Sequence, residues 1–423
     1  MAVYIGSFDP FHNGHLEIVQ LALKYVPKVI IIVSINKKKT NQMPLLLRYQ
    51  MAKYLFENNS NIEVSIDITK YTTNEYYGII GSDVINTPKW NPKNWIFVIR
   101  PGFGNKLPLW LDTDAIIINQ NLELSSTFVR QHFDLTNVPY RIYQILNKIN
   151  IYSDKLQILI NNNEKLLCFD GNNYIKIYQK GFYDFRNKIP DHFGTKWDRN
   201  EPEGREFLAK KEYQYLIELN VIECALIGNI LLIPNLGNSL YELILDNNFP
   251  STNVYYEIGL LVRKMHMQYQ LYHGDVSTKN LIIKEDSVYV IDFEHSLSFI
   301  DPFFDPKFFA KDRQQFIFHL FLTFSESFRS KFVTNSMNIL GQNGTLGRNE
   351  SEHSALNLKT YEINYLKLAI KEYFRGLDVL LTKDDKFYAQ HWFNKLKSNI
   401  SNDLMNIFND IYFEITEHHL YEK

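Results

Sequence analysis

Residues 6–15 read GSFDPFHNGH and set two imidazoles, His12 and His15, either side of Asn13-Gly14. The stretch before them, AVYIGSF, is a short apolar strand pattern, and the stretch after them, HLEIVQLALKYV, has helical spacing. The imidazoles therefore sit where a strand gives way to a helix that starts near His15. A strand ending in Gly6-Ser7 lets the backbone approach a ligand closely. A helix start offers N–H groups and a partial positive charge to phosphate. Donors from His12 and His15 aimed at the same place suit the charge of a phosphoryl group undergoing displacement, with no covalent intermediate.

A second constellation lies far along the chain. Residues 273–280 read HGDVSTKN and residues 291–294 read IDFE. This is an Asp and an Asn on one loop, Asp275 and Asn280, then Asp292 at the end of a following strand, with the hairpin LIIKEDSVYV between them. One carboxylate can orient and deprotonate a hydroxyl, while the Asn and the second carboxylate can hold a metal on ATP phosphates.

Two kinds of element must position these groups. After the first strand and helix come KVIIIVSI, a continuous buried-strand run, and PLLLRYQMAKYLFEN, helical again. NIEVSI, YGIIGSD, WIFVIRPG and DAIIINQ are further short strands. This β-α-β rhythm predicts an α/β domain with a Rossmann-like parallel sheet covered by helices. Near residue 150 the pattern changes. LQILINNNEKLLCFDGNNYIKIYQK predicts antiparallel strands joined by polar turns, followed by a charged helix, EFLAKKEYQYLIEL, and a strand pair, ECALIGNILLIPNL. From about residue 239 the chain is mainly helical apart from the hairpin. The expected division is 1–152 and 153–423, the second part being two-lobed and α+β, with an N-lobe over about 153–236 and a helical C-lobe over about 237–423. The polar stretch 341–357 reads as a mobile loop.

Composition narrows the function classes. The chain has 423 residues, 45% hydrophobic and 22% charged, enough for ordinary globular cores. Its net charge of −2 gives no bulk electrostatic case for nucleic acid or an anionic membrane surface. The two cysteines, Cys168 and Cys224, form no metal-ligand or disulfide pattern, which predicts a reducing interior. With no signal-like segment and no spanning apolar run, the cytoplasm is the expected location. The partners expected are small molecules; oligomeric state has no sequence signature here.

The first string resembles the GTFDPxHxGH signature of the nucleotidylyltransferase superfamily, which transfers a nucleotidyl group from a nucleoside triphosphate to a phosphate monoester. Later segments follow in the family's order: KKKTNQMPLLLR, with Lys37, Lys38, Lys39 and Arg48; IGSDVINTPKW; VIRPG; and ELSSTFVRQ. These are similar to segments of nicotinate-nucleotide adenylyltransferases, and together they cover about the first 152 residues. The resemblance implies that His12 and His15 bind the ATP phosphates and the transition state, with Gly6, Ser7, Phe8 and Lys37 about the phosphates. It implies that Ser125, Ser126 and Thr127 start a helix that holds triphosphate oxygens, with Arg130 as a charge clamp. Asp83 and Trp90 fall where the family binds its acceptor. Trp90 is either a stacking platform for a pyridine ring or a core aromatic, and Arg48 either an acceptor contact or a surface helix charge. The segment YTTNEYYGIIGSD is shorter than in the family and lacks a helix that packs beside the acceptor pocket. Phosphopantetheine is therefore an alternative acceptor to nicotinate or nicotinamide mononucleotide.

The second pattern resembles the kinase-like fold, in the aminoglycoside/choline kinase branch and the Rio-type atypical kinases, over roughly 155–330. The resemblance implies that Asp275 is the base, that Asn280 and Asp292 hold Mg²⁺ on ATP, that Lys176 in NNYIKIY binds phosphates and that Glu212 is its helical partner. Asp312 falls where a helical-lobe Asp steadies the catalytic loop. No GxGxxG is present, and Asp170-Gly171-Asn172 is the turn available over the phosphates. The loop is His-Gly-Asp, which favours a small-molecule phosphotransferase over a regulated protein kinase; a protein kinase or a nucleotide-binding regulatory module is the alternative. The expected whole is a bifunctional enzyme using ATP and Mg²⁺.

Overall fold

The computed structural model describes residues 1–36, 42–83, 90–102, 107–111, 113–132, 135–149, 156–162, 165–178, 202–220, 222–246, 248–293, 296–298, 309–323, 360–374, 387–392, 394 and 402–416. Lys37 and the stretch 341–357 lie outside them.

The N-terminal strands are β1 (Ala2–Gly6), β2 (Val29–Val33), β3 (Ile62–Ser65), β4 (Tyr77–Gly81), β5 (Asn94–Ile99) and β6 (Ile116–Asn119). They form one six-stranded sheet in the order β3-β2-β1-β4-β5-β6, and every pairing is parallel. The run Val29–Val33 is buried along its whole length, as a central parallel strand with both faces covered must be. Helices α1 (Asn13–Ala22) and α2 (Leu45–Leu55) follow β1 and β2. Helix α1 begins two residues earlier than its spacing suggested. His12, in extended conformation, is its N-cap, because the His12 carbonyl already accepts from the N–H groups of His15 and Leu16.

Two short helices, α3 (Ser126–His132) and α4 (Tyr140–Leu146), lead to a five-stranded antiparallel sheet. Its strands are β7 (Gln157–Asn161), β8 (Lys165–Phe169), β9 (Asn173–Tyr178), β10 (Ala225–Ile227) and β11 (Ile230–Pro234), in the order β10-β11-β9-β8-β7. Alternation along β9 sorts its side chains. Ile175 and Ile177 join a core with Leu47, Met51, Val129, Ile142 and Ile145, whereas Tyr178 packs on Leu208 and Ala209 of the helix Pro202–Asn220. The turn Asp170-Gly171-Asn172 joins β8 to β9 and is closed by the Asp170 carboxylate, which accepts from the N–H groups of Asn172 and Asn173 at 2.9 and 2.6 Å.

The chain falls into two compact units. One comprises Met1–Asp184, Asp198–Lys210 and Cys224–Asn235, and the other Phe185–Trp197, Lys211–Glu223 and Leu236–Lys423. The first unit has a shared core, in which Leu47 and Met51 of α2, Val129 of α3 and Ile142 and Ile145 of α4 pack with residues of β8, β9 and β11. Cys168 lies in that core, and burial pushes its thiol up to about 11.

In the second unit, β12 (Asn238–Ser239), β14 (Leu281–Lys284) and β15 (Ser287–Val290) make a three-stranded sheet, and β13 (Leu271–Tyr272) pairs with β16 (Leu297–Ser298). The helix Thr252–Met267 packs on Thr360–Phe374 through stacked Tyr255 and Tyr365, 4.6 Å apart. The helix over 309–323 packs on Asn402–Thr416 through stacked Phe321 and Phe408, 4.3 Å apart. The C-terminal residues, which carried no recognisable pattern, thus complete the helical core. No helix among the described residues is long and apolar enough to cross a membrane.

Candidate functional sites

The strand order reverses between β1 and β4, the place where open parallel sheets bind ligands beyond their carboxyl ends. A cavity of about 830 Å³ lies there. Gly6, Ser7, Phe8, His12, His15, Asp83, Ser125, Ser126 and Thr127, all anticipated from the sequence, line it. The His12 and His15 rings stack with centroids 3.6 Å apart. The His12 backbone N–H donates to His15 Nδ1 at 3.3 Å, so the neutral His15 ring carries its proton on Nε2. Gly14 allows this arrangement through close approach: a Cβ there would lie 2.7 Å from Gln120 Nε2 and 3.1 Å from the His12 ring. Phe8 takes a φ of 45°, a left-handed conformation rare for a bulky residue, and its ring packs edge-on to His15 at 5.0 Å.

Three residues of the expected site lie off the cavity lining. Arg48 is 2% exposed and does not line the cavity. It donates to the carbonyls of Met43 and Ser34, each at 2.9 Å, and to that of Ser7. A buried guanidinium with these carbonyl partners braces the Ser7 loop and is not a surface charge. Arg130 also lies off the cavity wall. It donates to the carbonyl and carboxylate of buried Asp9 and, at 3.2 Å, to Thr127 Oγ1. It ties the turn before His12 to α3, as Ser126 Oγ does through the Pro10 carbonyl at 3.1 Å. Trp90 donates its Nε1–H to the Thr73 carbonyl at 3.2 Å and packs on Trp95, away from the lining.

Two residues the sequence reading did not single out do line the cavity. Arg100, at the end of β5, pairs with Asp83 at 3.0 Å and donates to the Leu124 carbonyl at 3.1 Å. Tyr4 lies beneath, and burial drives its hydroxyl well above the ordinary tyrosine range. The VIRPG segment was the available signal for Arg100. Nothing in the local sequence marks Tyr4, because only the sheet order brings it under the pair.

The second constellation is built around β13, β14 and β15. Asp312, fully buried, accepts from the N–H groups of His273 at 2.6 Å and Gly274 at 3.0 Å and from His266 Nε2 at 3.1 Å. His273 Nε2 donates to the Ile291 carbonyl at 3.0 Å, and the Ile291 N–H donates to the Asn280 carbonyl at 3.0 Å. These bonds bring Asp275, Asn280 and Asp292 to one place. Asn280 Nδ2 donates to the Asp275 carbonyl and to Asp275 Oδ2, at 2.9 and 3.1 Å, which leaves Asn280 Oδ1 as an oxygen donor. Asp292 has a φ of 67°, again left-handed. Burial, with Asp292 and Asp312 adding to it, raises the Asp275 carboxyl above the ordinary aspartate range, against His273 and Asn280. A raised base suits capture of a hydroxyl proton.

In the first unit Lys176 is buried, its ammonium 4.9 Å from the Tyr178 ring. In the second, Glu212 is fully buried and its neighbour Lys211 donates to the Ser296 carbonyl at 2.7 Å.

His266 yields a pH prediction. Burial, outweighing Asp312, holds its imidazole below the ordinary histidine range. The unfolded chain then binds the proton first as pH falls through about 6.5, so stability drops from there downward, by at most about 1.4 kcal/mol per pH unit for one group. Urea unfolding between pH 7 and 5 is expected to show this slope, and His266→Gln to flatten it. Equal slopes in both chains would rule the assignment out.

Residues 3–132 match the cytidylyltransferase-like family, and residues 161–328 match the RIO domain. The chain joins a cytidylyltransferase-like domain to a RIO domain. Among curated relatives, this chain is similar to phosphopantetheine adenylyltransferase of Mycoplasma capricolum, 41% identical over 73 residues, which are 17% of this chain and 52% of that protein. The same enzyme of Clostridium botulinum is 44% identical over 63 residues, 15% of this chain and 38% of that protein. The match spans about half the length of these relatives or less. Among solved structures, nicotinic acid mononucleotide adenylyltransferase of Plasmodium falciparum aligns at 18% identity and a TM-score of 0.28, over 36% of this chain and 96% of that one.

Proposed function

We propose that the chain is a bifunctional enzyme. The cytidylyltransferase-like domain joins AMP from ATP to a phosphate monoester, and the RIO domain moves the γ-phosphoryl of ATP to a hydroxyl of a small molecule. The stacked His12–His15 pair at the helix start, facing the cavity at the sheet's switch point, carries the first half.

In that reaction the acceptor phosphate attacks the α-phosphorus in line, and pyrophosphate leaves. No side-chain nucleophile is needed. The imidazole N–H groups and the free N–H groups of α1 meet charge as it grows on the phosphoryl oxygens, while the Ser125–Thr127 segment holds the far end of the triphosphate. The Asp83–Arg100 pair at the end of β4 and β5 faces the acceptor. In the RIO domain, Asp275 takes the hydroxyl proton. Asn280 Oδ1 and Asp292 are hard oxygen donors of the kind that hold Mg²⁺ together with nucleotide phosphates, which would neutralise charge on the transferred group.

The acceptor of the first reaction is a pyridine mononucleotide, supported by IGSD, VIRPG with Arg100, and SSTFVR. Phosphopantetheine is a second reading, supported by the named curated relatives and by Trp90 lying off the cavity wall. Incubating the full chain with Mg²⁺-ATP and either nicotinate mononucleotide or phosphopantetheine, and following pyrophosphate and product mass, separates them. A dinucleotide is the expected product. Adenylylation of phosphopantetheine alone would replace the first acceptor by the second, and no pyrophosphate from either would end both.

A further inference from the structure

The helix over 309–323 sends two residues to the HGDVSTKN loop. Asp312 holds its backbone. Gln315, one turn on and on the same face, reaches the working carboxylate itself: its Nε2 donates to Asp275 Oδ1 at 3.1 Å. The other carboxylate oxygen accepts from Asn280 Nδ2 at 3.1 Å. Two amides thus grip the two oxygens of one carboxylate from opposite ends.

We propose that Gln315 is a positioning residue for phosphoryl transfer, acting through Asp275; the inference rests on the phosphotransferase reading of that site. The torsion that turns a carboxylate about its own axis is soft and broad, so Asn280 alone leaves Asp275 Oδ1 free to swing. The second amide removes that freedom and fixes the lone pairs that must meet the hydroxyl within hydrogen-bond reach. Packing does not account for an amide here. Gln315 is 6% exposed, and its Oε1 is buried and meets no donor among the described residues. A buried acceptor left unfilled is destabilising, whereas leucine would fill similar space without that cost. The side chain is the wrong choice for stability and a suitable one for holding Asp275.

The test uses the full chain, with ADP release from Mg²⁺-ATP measured with water, nicotinamide riboside or pantetheine as acceptor, beside thermal unfolding. Gln315→Leu is expected to lower kcat by roughly 10- to 100-fold through misplacement of the base, with KM for ATP little changed and the melting temperature little changed, since relief of the unfilled Oε1 offsets the donor lost by Asp275 Oδ1. Gln315→His, whose Nε2–H falls where the amide N–H stood, is expected to recover most of the loss. An unchanged kcat in Gln315→Leu overturns the inference. So does a fall in kcat that tracks a fall in melting temperature, since that marks a structural residue. Asp275→Ala separates this from failure of the underlying reading: if Asp275→Ala and the parent chain release ADP at the same rate, the phosphotransferase reading falls and Gln315 has no reaction to position.

Discussion

Replacing His15 by alanine is expected to lower the turnover number for adenylyl transfer by about 10²- to 10³-fold, the usual cost of one donor to a developing oxyanion, with a much smaller change in KM for ATP. The reason is the proton's location. His15 Nδ1 already accepts from the His12 backbone N–H, so the neutral ring offers Nε2–H to the phosphoryl group. His15→Asn supplies the control. Its side-chain oxygen can still accept from the His12 N–H, but nothing reaches as far as Nε2. If the imidazole only shapes the helix start, His15→Asn keeps its activity; if it stabilises the transition state, His15→Asn is as slow as His15→Ala. Pyrophosphate release under saturating ATP decides between the two, and full activity in both variants would remove His15 from the mechanism.

A chain cut after residue 152, where the β-α-β pattern ends, is expected not to fold stably, and a chain cut after residue 235 is expected to do so. The core shared by α2, α3 and α4 with the antiparallel sheet includes Leu166, Cys168, Ile175, Ile177, Ile230 and Leu232. Burying each such side chain is worth about 1.5–3 kcal/mol, so removing them forfeits roughly 10 kcal/mol, comparable with the whole stability of an ordinary domain. It also bares Leu47, Ile142 and Ile145 to water. Circular dichroism melts and dye binding test this. The short fragment should bind a hydrophobic dye and melt without cooperativity; a cooperative melt near that of the full chain would mean that the two layers are merely adjacent.

The same shared core supports the antiparallel sheet. Lys176 sits on β9 between Ile175 and Ile177, which pack against α2, α3 and α4. The strand that carries the expected phosphate-binding lysine is thus held by the first domain's core.

Much of this was legible along the chain. The apolar runs VIIIV and WIFV require a sheet buried on both faces, and Gly-Ser-Phe-Asp-Pro between strand and helix requires a sharp turn into a helix start. His12 and His15 are three apart, so the N-cap and the first turn of one helix suffice to bring their rings together. Asp275, Asn280 and Asp292 belong to one loop and the strand beyond it, so a hairpin suffices to bring them together. Local periodicity and short-range spacing are properties of the sequence itself, and for these elements it was enough.

Contacts between residues distant in sequence were not legible, because they depend on which strand lies beside which. Arg48 has the composition of a surface helix charge, yet the loop carbonyls of Ser7 and Ser34 turn it into a buried bracket. Arg130 meets Asp9, 121 positions away. Trp90 could be read as a stacking platform or a core aromatic, and only the folded chain sets its indole N–H on the Thr73 carbonyl and its ring against Trp95. Gln315 carries no motif; it matters because one turn of helix past Asp312 points it at Asp275. The sequence by itself determined where the two candidate sites lie, since each is a short run of fixed residue types. Tertiary structure decided which charged groups line the cavity and which brace the backbone, because burial and hydrogen-bond partners exist only once the sheet order is set.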